Sequence, residues 1–401
     1  MNLSKLAAVA LIVIGCGGGG PATRAPGQTE TLSSSPTSSA SSATPLPSPG
    51  SCAAQVASAL TPEQRIGQLF LMGLANDQLG SAELAAIRDS HIGSVWFTTT
   101  TSIGVNGVRA VTDTVQAEAS VKATGGVPFF VAANQEGGQI QALQGIGFAT
   151  IPSAVAQGDM SLDALQANAR RWGRDLSSAG VNLNFAPVAD VVPLANKNTN
   201  QPIGVLDREY GYDAESAGSH AAAFVRGMTA AGVATTAKHF PGLGRVEGNT
   251  DFTGDVVDDL TTVDDPSLGS FQATIDAGVP FVMVALATYQ QIDPQHLAVF
   301  SPTVIGGMLR TSLGFTGVVV SDDLGDAVAV ADVSVGDRAV DFLSAGGDLV
   351  VVKQADDAVT MASAVLTRAQ GDEAFAAIVD AAALKVLEAK DAAGLLACSD
   401  T

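Results

Sequence analysis

Eight short apolar runs, separated by Ala-rich amphipathic stretches, constrain the fold of this chain more than any other feature. They occupy residues 68–73, 93–97, 128–134, 181–188, 233–240, 280–286, 317–322 and 348–353. Most are rich in Val or Phe and bounded by Gly or Pro, so they read as buried parallel strands. The stretches at 165–177, 213–230, 356–369 and 372–392 read as helices. Alternation of strand and helix builds right-handed βαβ units. Eight such units predict an α/β fold of the closed (β/α)8 TIM-barrel type, in one domain, more readily than an open doubly wound sheet.

Composition narrows the function classes. Twenty Lys and Arg stand against forty Asp and Glu, a net charge of −20 over 401 residues. A chain this acidic lacks the basic face that nucleic-acid binding needs. With 46% hydrophobic and only 15% charged residues, most of it can bury a core.

The N-terminus is a different polymer. Residues 6–15 form a continuous apolar run, too short for a mature membrane span and of signal-peptide length. Val13-Ile14-Gly15-Cys16 resembles a bacterial lipobox, which implies cleavage before Cys16 and lipid attachment to its thiol. The plainer alternative is an ordinary secretory signal with an incidental Cys. Residues 17–50 are rich in Gly, Ser, Thr and Pro and cannot offset their ordering entropy. The organisation expected is a signal peptide at 1–15, a flexible tether at 16–50 and a barrel domain at 51–401, exported and lipid-anchored on the extracytoplasmic face of the cell membrane. If Cys16 is acylated, Cys52 and Cys398 remain as an even pair at the two ends of the folded region. A disulfide between them is expected, with a loop-entropy contribution of about 4–5 kcal/mol; two unrelated buried thiols are the alternative.

Polar residues gather at the strand ends: Asn134-Gln135-Glu136 after the third run, Lys238-His239 in the fifth, Asp322-Asp323 in the seventh. A barrel concentrates its chemistry at that C-terminal face. Two carboxylates flanking a sugar bond are the basic glycosidase machine, and Asp322, rigid at a strand end, suits a nucleophile. Cations nearby would keep it ionised. Lys238, His239 and Arg208 could grip sugar hydroxyls or an acidic substituent. For Arg208 the plain alternative is a surface ion pair with Asp207 or Glu209.

Four linked motifs then resemble the family 3 glycoside hydrolases, in their single-barrel bacterial β-N-acetylglucosaminidase branch. They are Gln135-Glu136-Gly137-Gly138, Asn184-Phe185-Ala186-Pro187-Val188-x-Asp190, Lys238-His239-Phe240-Pro241-Gly242-Leu243-Gly244 and Ser321-Asp322-Asp323-Leu324, in the family's order. The resemblance implies retaining hydrolysis of terminal β-linked N-acetylglucosamine, on cell-wall or muropeptide fragments, without a cofactor or metal. It implies Asp322 as the nucleophile, with Lys238, His239 and Arg208 on the sugar. Asn134, standing where the family has Asp, joins the substrate-binding set. A monomer is expected.

The departures bear on mechanism. The branch takes its acid/base from a His in an Asp-x-His dyad, and here Asn249-Thr250-Asp251 falls on that place. Ala142 replaces a family Arg, Gln139 a common Arg, and Leu286 stands where a His is common. Three readings follow. A loop carboxylate, Asp251 first and then Asp255 or Glu247, protonates the leaving oxygen; catalysis persists only on activated leaving groups; or the barrel is a surface sugar-binding lipoprotein with weak or no turnover. A β-glucosidase of the same family is a further alternative. His91, His220 and His296 are isolated and offer no metal geometry. Trp96 and Trp172 read as core, Asp323 as an acceptor or cap, Glu136 as a strand-end anchor, and Asp255, Asp258 and Asp259 as a solvated acidic face.

Overall fold

The computed structural model describes residues 50–398. The expected signal peptide, Cys16 and nearly all of the tether lie outside the described residues. Eight strands close into one parallel barrel: β1 (Phe70–Leu74), β2 (Ser94–Phe97), β3 (Phe130–Ala133), β4 (Leu183–Asn184), β5 (Ala234–Phe240), β6 (Phe281–Val284), β7 (Val318–Asp323) and β8 (Leu349–Val352). Each neighbours the next, and β8 returns to β1. Each strand coincides with one of the eight apolar runs, β1 and β7 reaching one residue past theirs, because strands buried on both faces are predominantly apolar. β4 is the shortest. The chain after Phe185 reaches Pro187, which has no N–H for the ladder, and only the Val188–Lys238 bridge continues the pairing.

The helices start where side-chain caps satisfy their first amides. Asp213 accepts from the Ser216 amide to open Ala214–Thr229, and Asp372 accepts from Phe375 to open Glu373–Ala392. Ser161 does the same for Leu162–Ser178. The helix Thr303–Ser312, between β6 and β7, is wound wider than an α-helix. Inside the barrel Phe130 meets Phe281 edge to face at 5.4 Å, bridging β3 and β6. Trp96 and Trp172 are buried, packed on Phe185 and Phe224.

The floor is sealed by both ends of the described chain. Lys390, on the last helix, is fully buried. Its Nζ donates to Gln68 Oε1 at 2.7 Å and to the carbonyls of Gly93 and Pro128 at 2.8 Å. Those three residues lie just ahead of β1, β2 and β3. The first helix, Cys52–Ala59, sets Ala53 into a small cluster with Val127 and Leu387. Cys52 and Cys398 are disulfide-bonded with their Cα atoms 5.6 Å apart, linking positions 346 residues apart in sequence.

Candidate active site

At the opposite end, the mouth, two strands carry irregularities where the polar residues sit. Ala237 pairs with Val282 and Phe240 with Val284, so three steps of β5 span two of β6. Val320 pairs with Leu349 and Asp323 with Val351, so β7 gains a residue on β8 in the same way. Such bulges re-aim side chains. One falls on Lys238-His239 and the other on Ser321-Asp322.

The anionic anchor is Glu136, on a short turn-back after β3. Its carboxylate receives Arg208 through two N–H groups at 2.7 and 2.8 Å, and Lys238 Nζ stands 2.7 Å from the same Oε1. Burial would raise the Glu136 pKa, but Arg208 and Lys238 overcome it and hold the carboxyl down to about 2. Burial lowers the pKa of Lys238, against the pull of Glu136. Lys238 also donates to Asn134 Oδ1 at 2.8 Å. Arg208 is therefore no surface pair. Lys197 takes both of its sequence neighbours, Asp207 and Glu209, at 2.6 Å, leaving Arg208 turned inward.

His239 is fixed by a residue for which the sequence offered no role. Asp190, fully buried, accepts the His239 amide at 3.1 Å, sits 2.8 Å from His239 Nδ1 and accepts the Leu243 amide at 2.6 Å. An ionised carboxylate only accepts, so Nδ1 carries the proton toward Asp190 and Nε2 is the atom left for a ligand. The signal was present in the sequence: an Asp just beyond the β4 end, in a barrel where strand-end carboxylates converge.

Asp322 is the penultimate residue of β7, half-buried, and its Oδ1 accepts the Asp323 amide at 2.9 Å. Its charge is felt at Lys238, Arg208 and Asp251, and like Lys238 it sits at the C-terminal end of its strand. Asp251 rides on the long loop after β5. That loop is stitched to the loop after β7, where Val328 and Ala329 donate to the carbonyls of Asp251 and Thr250. Although accessible to solvent, Asp251 is hemmed in by protein. Burial, then the Asp322 charge, raises its pKa against the opposing pull of His239, Arg208 and Lys238. Glu247 and Asp255 are exposed, and Asp255 sits in a left-handed turn at φ 52°.

Asp323 accepts from the amides of Gly325 and Lys353 and ties β7 to β8; burial raises its pKa to about 6. It acts as a structural acceptor. Asp258 differs from expectation. It is buried, with its carboxylate accepting from Leu260 and Thr261, so it shapes the β5 loop, while Asp255 and Asp259 are exposed. Among the described residues no cluster of His, Cys, Asp and Glu has metal-site geometry.

The mouth thus carries a strand-end carboxylate, a second carboxylate on the β5 loop with a raised pKa, and two cations paired with Glu136. Comparison with known proteins agrees in kind. Residues 61–389 match the model of the glycosyl hydrolase family 3 N-terminal domain. The chain is similar to beta-hexosaminidase LpqI of Mycobacterium tuberculosis, 30% identical over 360 residues, 87% of this chain and 86% of that protein. It is 33% identical to a beta-hexosaminidase of Stenotrophomonas maltophilia over 71% of this chain and 83% of that one. The crystal structure of a beta-N-acetylhexosaminidase from Beutenbergia cavernae superposes with a TM-score of 0.82 at 49% identity, covering 83% of this chain and 99% of that one.

Proposed function

The chain belongs to glycosyl hydrolase family 3, and from that premise we propose how its mouth works: as the centre of a retaining β-N-acetylhexosaminidase that releases terminal β-linked N-acetylglucosamine. The carrying observation is that two carboxylates stand at the same end of the barrel: Asp322 on the end of β7, and Asp251 on the β5 loop whose backbone is hydrogen-bonded to the loop after β7. Burial and then the Asp322 charge raise the Asp251 pKa, which suits Asp251 to giving up a proton. Asp322 attacks the anomeric carbon, forming a carbon–oxygen ester bond as the bond to the leaving oxygen breaks. Asp251 gives its proton to that oxygen. In the second step water attacks the same carbon, returns a proton to Asp251 and frees Asp322. Lys238, Arg208 and Asn134 hold sugar hydroxyls from the β3 and β5 side, and His239 presents Nε2 from its Asp190 seat. The substrate is a carbohydrate, and cell-wall or muropeptide fragments are the class that suits an enzyme exported and anchored through Cys16.

Turnover of an aryl β-N-acetylglucosaminide is the test. Wild type should release the aryl alcohol, Asp322→Asn should lose nearly all activity, and a fluorosugar should label the Asp322 peptide in a mass spectrum. A wild type that binds the sugar but is as inert as Asp322→Asn would replace the enzyme reading with sugar binding. Mass spectrometry of the membrane-extracted N-terminus tests the anchor, since an unmodified Cys16 contradicts it.

A further inference from the structure

Phe252 follows Asp251 directly and is 80% exposed, an unusual place for a benzyl group on a loop whose backbone is otherwise well tied. The Phe252 and Thr253 amides both donate to the Asn249 carbonyl, at 3.0 and 2.8 Å, and Asn249 Oδ1 accepts the Asp251 amide at 3.0 Å. On the other flank Val328, itself 44% exposed, donates its amide to the Asp251 carbonyl at 3.3 Å. Two exposed apolar residues are therefore carried by backbone tied to the acid's own turn.

The position has a chemical meaning. A leaving oxygen must lie at the carboxyl that protonates it, so the departing group extends from Asp251 toward the rim. A pyranose presents an apolar C–H face, and an exposed aromatic ring is the surface that such a face stacks on. We propose that Phe252, with Val328, forms the platform for the leaving sugar, and so selects substrates by what lies on the reducing side of the cleaved bond. This rests on the glycosidase reading with Asp251 as the acid. It adds a specificity-determining residue that the four sequence motifs do not contain. The occupant is the second sugar of a β-linked amino-sugar disaccharide.

The experiment compares N,N′-diacetylchitobiose, which has a leaving sugar, with N-acetyl-β-glucosaminyl fluoride, which has none. The readout is the ratio of kcat/KM on the two substrates for wild type, Phe252→Ala and Phe252→Trp. Phe252→Ala should lower the ratio about tenfold, the size of a lost apolar contact in a specificity site, chiefly through a higher KM for the disaccharide. Phe252→Trp should restore it, and the alkaline limb of the pH profile should stay in place. An unchanged ratio overturns the platform. A fall in kcat accompanied by a displaced alkaline limb also overturns it, because the ring would then act through Asp251. If wild type leaves the fluoride intact, the glycosidase reading itself fails and takes the platform with it, an outcome distinct from an unchanged ratio.

Discussion

Lys390 offers a perturbation whose size follows from the structure. It is a lysine in the barrel floor with no carboxylate partner, only three oxygens at 2.7–2.8 Å. Burial takes its pKa from 10.5 down to about 7. The unfolded chain then binds more protons than the folded one between those two values, so stability rises as pH climbs through that window. Integrating the linkage from pH 7 to pH 9.5 gives a gain on the order of 3 kcal/mol from this one group. Lys390→Met removes the titration. It also leaves Gln68 Oε1 and two carbonyls without their donor, at a cost of about 1–3 kcal/mol each, but that cost does not depend on pH. Urea unfolding of wild type and variant at the two pH values isolates the term. Wild type should gain on the variant by about 3 kcal/mol at the higher pH. The opposing physics is specific: three acceptors match the three N–H groups of an ammonium ion and favour its charge. If the difference between the proteins is the same at both pH values, those carbonyls hold the cation at its ordinary pKa and the desolvation argument is wrong.

Asp251→Asn should cut the rate on disaccharides with poor leaving groups by about 10²–10⁴-fold. Because the raised pKa keeps Asp251 protonated to higher pH, the wild-type rate should fall on the alkaline side as that proton is lost, and this limb should vanish in the variant's pH–rate profile. The paired change Cys52→Ser with Cys398→Ser should lower the unfolding free energy by up to about 4–5 kcal/mol in urea titrations. It should leave kcat on an aryl glycoside unchanged, since the bridge lies at the floor.

The barrel was legible because its strands must be apolar on both faces, and all eight registered as runs. Asp322, Lys238 and His239 were legible as strand-end polar groups carried by linked motifs, and the structure puts all three at the C-terminal ends of β5 and β7. What escaped was pairing across the sequence. Nothing near Arg208 in the chain identifies Glu136, 72 residues away, as its partner in place of Asp207 or Glu209. Asp190 was visible as a motif letter but not as the seat of His239, because that contact depends on the turn that follows β4. Asp258 read as one of a run of acids, and only the fold of its own turn buries it.

The chain enters and leaves the barrel on one side. Helix Cys52–Ala59 packs with the last helix beneath the strands, and the Cys52–Cys398 bridge fastens the two there. Both ends of the described chain therefore lie on the face of the barrel away from its mouth, so a bead or affinity handle fixed at residue 50 leaves the approach to the strand-end residues open.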